Sequence, residues 1–89
     1  MIYNQFYIED AVADSRGLVL IGSVTYGFIQ PGMKCANFLD REVRIASIEV
    51  SNVRVESATL GQRVTFLSLS GAEGLEITLS PGTTLKFRS

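Results

Sequence analysis

Hydrophobic and polar positions along the chain follow a period of two in short segments, and glycines interrupt the pattern at near-regular intervals. Asn4 to Val12 is rich in aromatic and β-branched residues and predicts a first strand, with Phe6, Ile8 and Val12 facing one side. Ala11 to Ser15 ends it in small and polar residues. Gly17 to Tyr26 predicts a second strand whose apolar residues fall on both faces, as suits a strand covered on both sides. Gly22 within it predicts a bulge or a close backbone approach. A helix over the same residues is rejected, because the segment is short, β-branched and bounded by glycine.

Gly27 and Pro31-Gly32 mark turns. Proline presets φ at one central position and glycine accepts positive φ at the next, as a type II turn requires. Met33 to Phe38 predicts a third strand and Asp40-Arg41-Glu42 a charged turn. Val43 to Val50 predicts a fourth strand whose alternation changes phase at Ala46-Ser47, which calls for a bulge or bend there. Ser51-Asn52 and Ser57 to Gly61 read as loops around a short strand at Val53 to Val55. Arg63 to Leu69, Ile77 to Leu79 and Thr84 to Phe87 complete the set, with turns at Gly71 to Gly74 and Pro81-Gly82. The fold class expected is all-β: a small closed or nearly closed antiparallel barrel of six to seven strands. Residues 1–89 are expected to form one domain, without repeat, linker or low-complexity segment.

Composition narrows the chemistry. The chain has 89 residues, 46% hydrophobic and 19% charged, with a formal net charge of −1. Such a chain has no overall electrostatic pull toward nucleic acid or anionic membrane. Histidine is absent and Cys35 is the single cysteine. No internal disulfide can form, no metal site is expected, and the commonest general base is missing. Without histidine, Cys35 has no catalytic dyad and reads as a structural residue. The longest apolar stretch, Gly17 to Gly22, falls far short of the ~20 residues of a spanning helix. The amino terminus lacks signal-peptide features, and a cytoplasmic location is expected.

Several features in order resemble the second-domain β-barrel of the translational GTPases, the domain that follows the nucleotide-binding domain in elongation factor Tu. They are Ile8-Glu9-Asp10, Arg16-Gly17, Val19 to Gly27, Pro31-Gly32-Met33, Ile48-Glu49-Val50, Ala58 to Gly61 before Val64 to Leu69, and Leu79 to Gly82. The resemblance spans nearly the whole chain. No phosphate-binding loop precedes it, and the glycines of residues 17–27 lack the Gly-Lys-Ser/Thr ending of a phosphate cradle. The barrel is therefore expected here without a GTPase domain, and no nucleotide is expected as a partner. Met1 opening the barrel almost at once favours a complete small protein over an excised domain.

The resemblance implies candidate binding residues. In elongation factor Tu this barrel helps hold the aminoacylated 3′ end of tRNA, and in other members it leans on ribosomal RNA. The acidic pair of the tRNA-end pocket matches Glu9 and Asp10, and its strand glutamate matches Glu49. Other positions depart: Val12 replaces an aromatic, Asn52 a basic residue and Ser23 a frequent arginine, and Arg63 stands in place of an asparagine. Arginine is long and permanently charged, so it is expected to fill that space or to pair with Glu9, Asp10 or Glu49. These departures argue against an aminoacyl-tRNA pocket.

Binding residues are therefore expected at Glu9, Asp10, Arg16, Glu49 and Arg63, with no catalytic residue, cofactor or metal. As adjacent strand residues, Glu9 and Asp10 are expected to point to opposite faces and form a solvated strand end rather than paired carboxylates. Arg41, Arg44, Arg54 and Arg63 could make a basic side after folding, but Glu42, Glu49 and Glu56 favour a charge-paired surface. Two readings follow: a non-catalytic module docking to ribosome, RNA or a translation-related protein, and a protein-interaction mimic or self-assembling module unrelated to RNA. An enzyme is not expected.

Overall fold

Extended structure forms wherever the period-two segments are long, and the computed structural model describes residues 3–14 and 17–89. The strands are β1 (Asn4–Asp14), β2 (Gly17–Tyr26), β3 (Phe28–Ile29), β4 (Lys34–Cys35), β5 (Arg44–Val50), β6 (Val53–Val55), β7 (Ala58–Thr59), β8 (Arg63–Ser70) and β9 (Thr84–Arg88). They pair antiparallel in the order β4-β9-β1-β2-β8-β5, and β5 pairs back to β4. Six strands thus close a ring. β6 extends β5 as a seventh strand, and β3 pairs separately with β7. The expected all-β barrel is what forms. No helix among the described residues is long and apolar enough to cross a membrane.

Four bulges keep the apolar residues pointing inward as the strands curve, because each extra residue resets the two-residue phase. In β1, Ile8 faces Gly22 but Asp10 faces Ile21, so Glu9 is the extra residue. In β2, the shift between Gln5↔Tyr26 and Phe6↔Val24 makes Thr25 the extra one. In β8, one residue is added between Val64 and Leu67, both fully buried. In β5, Ile45 faces Leu69 and Ser47 faces Ser68, which leaves Ala46 unmatched and lets both Ile45 and Ile48 enter the core. The phase change expected at Ala46-Ser47 is therefore a bulge.

The core is built from Phe6, Ile8, Leu20, Val24, Ile29, Ile48, Val64, Leu67, Leu79, Leu85 and Phe87, all essentially inaccessible to solvent. Burying each such side chain is worth about 1.5–3 kcal/mol. Gly22 is the tight point of the interior. A Cβ there would overlap the Tyr7 carbonyl oxygen and lie 2.9 Å from Phe6 Cζ. Close backbone approach is what requires glycine here. Both Pro-Gly turns form as expected, with Met33 N–H donating to Gln30 O at 3.2 Å and Thr83 N–H to Ser80 O at 3.2 Å. Gly32 and Gly82 take φ of 94° and 93° at the third turn position.

Four expectations are corrected. Within Ser57 to Gly61, expected as a loop, Ala58–Thr59 is strand β7 paired with β3. The third strand does not run from Met33 to Phe38; only Lys34 and Cys35 are strand. The Asn37 side chain explains the early end: its Oδ1 accepts from Lys86 N–H at 2.7 Å and its Nδ2 donates to Thr84 O at 3.2 Å. A side chain thus takes over the ladder to β9. Ile77 to Leu79 is a turn, not a strand, closed by Leu79 N–H donating to Leu75 O at 2.9 Å. Leu79 is buried while Ile77 is 93% exposed. Finally, Val12 does not share the inner face of Phe6 and Ile8. The Glu9 bulge reverses the phase, so Ala11 packs against the core and Val12 is exposed.

Candidate docking surface

The bulge at Glu9 and the register of β1, β2 and β8 together assemble the expected site residues that come into contact. Ser23 of β2 lies opposite Tyr7 of β1 on one side and Arg63 of β8 on the other. Glu9 reaches across this row. Its Oε1 accepts from Arg63 Nε at 3.2 Å and from Ser23 Oγ at 3.4 Å. Arg63 therefore pairs with Glu9, and not with Asp10 or Glu49. The Arg63 side chain remains 60% exposed and that of Glu9 39% exposed. Nε is the guanidinium nitrogen engaged with Glu9 among the described residues.

Asp10 is also exposed, contrary to the expectation that it and Glu9 take opposite faces, because the bulge breaks the alternation at this pair. Its Oδ1 accepts from Ala11 N–H at 2.9 Å. Glu49 is half-buried on β5, opposite Arg54 on β6 and Phe66 on β8. Its carbonyl accepts from Thr65 Oγ1 at 3.2 Å, and the same hydroxyl oxygen accepts from Ser51 N–H at 3.0 Å. Thr65 thus holds the β5–β6 hairpin against β8. Arg16 lies outside the described residues.

Between these charges, the outer faces of β2 and β8 carry apolar side chains that do not belong to the core. Val19 is 8% exposed, yet it faces Val12 and Ser68 on the outside of the sheet. Ile21 and Phe66 are half-buried and likewise outside the core cluster. The result is an apolar strip of Val12, Val19, Ile21 and Phe66 rimmed by Glu9, Asp10, Arg63 and Glu49. An apolar centre with a polar rim is the usual layout of a docking surface. The strip was missed in the sequence because core and outer-face apolar residues alternate within the same strands.

The four arginines weighed as a basic side are mostly spent locally. Arg44 Nη2 pairs with Glu42 Oε1 at 2.5 Å, and its Nη1 donates to Gly32 O at 2.8 Å. The hydrogen bond from Arg44 to Glu42, with the arginine's charge, holds the Glu42 carboxyl below its ordinary range, and Lys34 adds a smaller lowering. Arg41 donates to the carbonyls of Glu73 and Gly71. Charge pairing thus describes Arg44 and Arg63, whereas Arg41 is held by backbone carbonyls. Cys35 is buried, and burial pushes its thiol pKa up against the lowering effect of hydrogen bonds at Asn37 and Lys86. Among the described residues no three His, Cys, Asp or Glu cluster to hold a metal ion.

No family model matches the chain, and no curated protein matches it. Among solved structures it is similar to translation elongation factor SelB from Methanococcus maripaludis in its apo form. The TM-score is 0.78 at 20% identity, over 98% of this chain and 18% of that one. Likeness at this level establishes the fold, which is a translation-factor β-barrel. The chain spans about a fifth of the length of that structure.

Proposed function

We propose that the chain is a non-catalytic docking module whose partner is the ribosome, its RNA or a translation-related protein. The observation that carries the reading is the barrel itself, matched over 98% of the chain to a domain of a translation elongation factor. Exposed Val12 and half-buried Ile21 and Phe66, with the exposed Arg63 side chain, form the surface it would use. Guanidinium donors suit a phosphate or a partner carboxylate.

This module does not hold an aminoacylated tRNA end as elongation factor Tu does. Glu9 is occupied by Arg63 and Ser23, and Arg63 places a long charged side chain where the family carries a short amide. Titration with charged and uncharged tRNA tests the point. Equal affinity is expected, and a preference for the charged form that is lost on Glu49→Gln would overturn it. Ribosome binding is tested by co-sedimentation at rising salt, with Arg63→Ala as the variant expected to weaken it.

A second reading has its own observation. Tyr26, Phe28 and Leu60 are 47%, 39% and 63% exposed. The backbone brings them together, since Leu60 N–H donates to Gly27 O at 2.9 Å and Phe28 faces Thr59. An apolar patch of this kind fits a protein partner or a second copy. A concentration-independent monomer, together with a Tyr26→Ser, Leu60→Ser variant that keeps every partner of the wild type, would count against it.

A further inference from the structure

On the wall opposite Arg63, an open cleft of about 290 Å³ is lined by Tyr3, Lys34, Ala36, Phe38, Leu39 and Arg88. Its position follows from the closing of the ring. Lys34 of β4 lies directly opposite Arg88 of β9 on one side and Arg44 of β5 on the other. Cys35 and Phe87, the neighbouring pair, are fully buried, so alternation turns Lys34 and Arg88 outward. Three cations therefore stand side by side across three strands. Like charges directly opposite one another destabilise a sheet.

Only one of the three is neutralised. Arg44 is held by Glu42, whereas Lys34 and Arg88 form no ion pair among the described residues. No carboxylate lines the cleft; Glu42, on the following turn outside its lining, feels Lys34 only as a minor influence beside Arg44. Two aromatic rings complete the wall: Phe38, packed partly against the core, and Tyr3. Leu39 is 97% exposed at the rim. Unpaired cations beside aromatic surface suit an anion with a flat, stackable body, and a cleft near 300 Å³ is at the small end of ligand sites.

We propose that this cleft takes one nucleotide of a single-stranded RNA, its base on Tyr3 and Phe38 and its phosphate between Lys34 and Arg88. An acidic peptide would engage the cations but leave the two rings unused. A strand fits better than a free nucleotide because positive charge continues beyond the cleft. Lys86 lies two residues along β9 on the same outward face. A neighbouring phosphate would meet this charge. The proposal shares its ligand class with the RNA-docking reading above, but its site is on the opposite wall.

The test is fluorescence anisotropy of a labelled hexauridylate, titrated with the whole chain at low salt. Lys34→Gln and Arg88→Gln are each expected to weaken binding about fivefold or more. Each should also flatten the slope of log affinity against log salt by about 0.7. Phe38→Leu, which keeps apolar contact with the core, should weaken binding with little change in that slope. Arg63→Ala should leave hexauridylate affinity unchanged while weakening ribosome binding, which separates the two sites. Because Lys34→Gln relieves repulsion, its melting temperature should hold or rise, so lost binding cannot be ascribed to misfolding. No binding at low salt, or unchanged binding in both cation variants, overturns the proposal. So does adenosine monophosphate competing as tightly as the hexamer, which would mark a free-nucleotide site, or inorganic phosphate competing as well as the nucleotide.

Discussion

The wall formed by β1, β2, β8 and β5 and the wall that closes the ring at β4 and β9 are held by different means. The first uses strands of 11, 10, 8 and 7 residues, with bulges that bend the sheet while the ladder continues. The second uses strands of two and five residues. Backbone bonds on either side extend it: Cys35 N–H donates to Val43 O, Ile45 N–H to Met33 O, and Ala36 N–H to Lys86 O. Beyond Ala36, the Asn37 side chain replaces the missing strand. A closed barrel thus needs only part of its circumference as regular strand. The remainder can be a short ladder completed by one amide, which frees that wall to carry the Lys34–Arg88 cleft.

The contrast is broken most severely at Gly22, where the long-strand wall has no space to give. Gly22→Val sets a side chain against the Tyr7 carbonyl and the Phe6 ring, and should cost about 3 kcal/mol or more. Chemical denaturation will measure it, and a wild-type midpoint would show that the backbone approach there is loose. At the closing wall, Asn37→Ala removes both amide bonds to β9, but water can reach the exposed site. A loss of about 1–2 kcal/mol is expected, with faster amide exchange at Lys86.

Cys35 reports on the same wall through pH. Its folded pKa is raised above the ordinary value of 9.0, chiefly by burial. Folding therefore favours the thiol; this stabilisation is complete below pH 9 and is lost as pH rises through the folded pKa. The melting temperature should fall on the alkaline side, and Cys35→Ala should remove part of that slope. A smaller gain is available at the β5–β6 hairpin, where Ser51 and Asn52 adopt φ of 52° and 67° in a two-residue turn. Asn52→Gly should raise stability by about 0.5–1 kcal/mol in the same denaturation assay. Smallest of all is the Glu9–Arg63 pair. It is surface-exposed, so a double-mutant cycle should give a coupling of at most about 0.5 kcal/mol.

What the sequence made legible follows the same division. The Gly17–Tyr26 strand, the Gly22 close approach and the Ala46 bulge leave clear marks on the apolar alternation. The bulge at Glu9 leaves none, because Glu9 and Asp10 are both polar and the apolar pair Ala11-Val12 that follows fits either phase. Asn37 acting as a surrogate strand has no periodicity to betray it, so the pattern predicts a third strand four residues longer than the one that forms. Ile77 to Leu79 reads as strand because two apolar ends resemble alternation, yet only Leu79 turns inward. For the site, the chemistry of Arg63 predicted an acidic partner. Only the β1–β2–β8 register decided that it is Glu9. Lys34 and Arg88 meet solely because the ring closes, and pairing across a closure is invisible in linear order.

The reading of this barrel as a docking module is tested most directly by co-sedimenting the wild-type chain with ribosomes across a salt series, beside Arg63→Ala. The account predicts pelleting with ribosomes at low salt, release as salt rises, and weaker pelleting of Arg63→Ala at every salt concentration, with its fold intact. A wild-type chain that stays in the supernatant even at the lowest salt would contradict it.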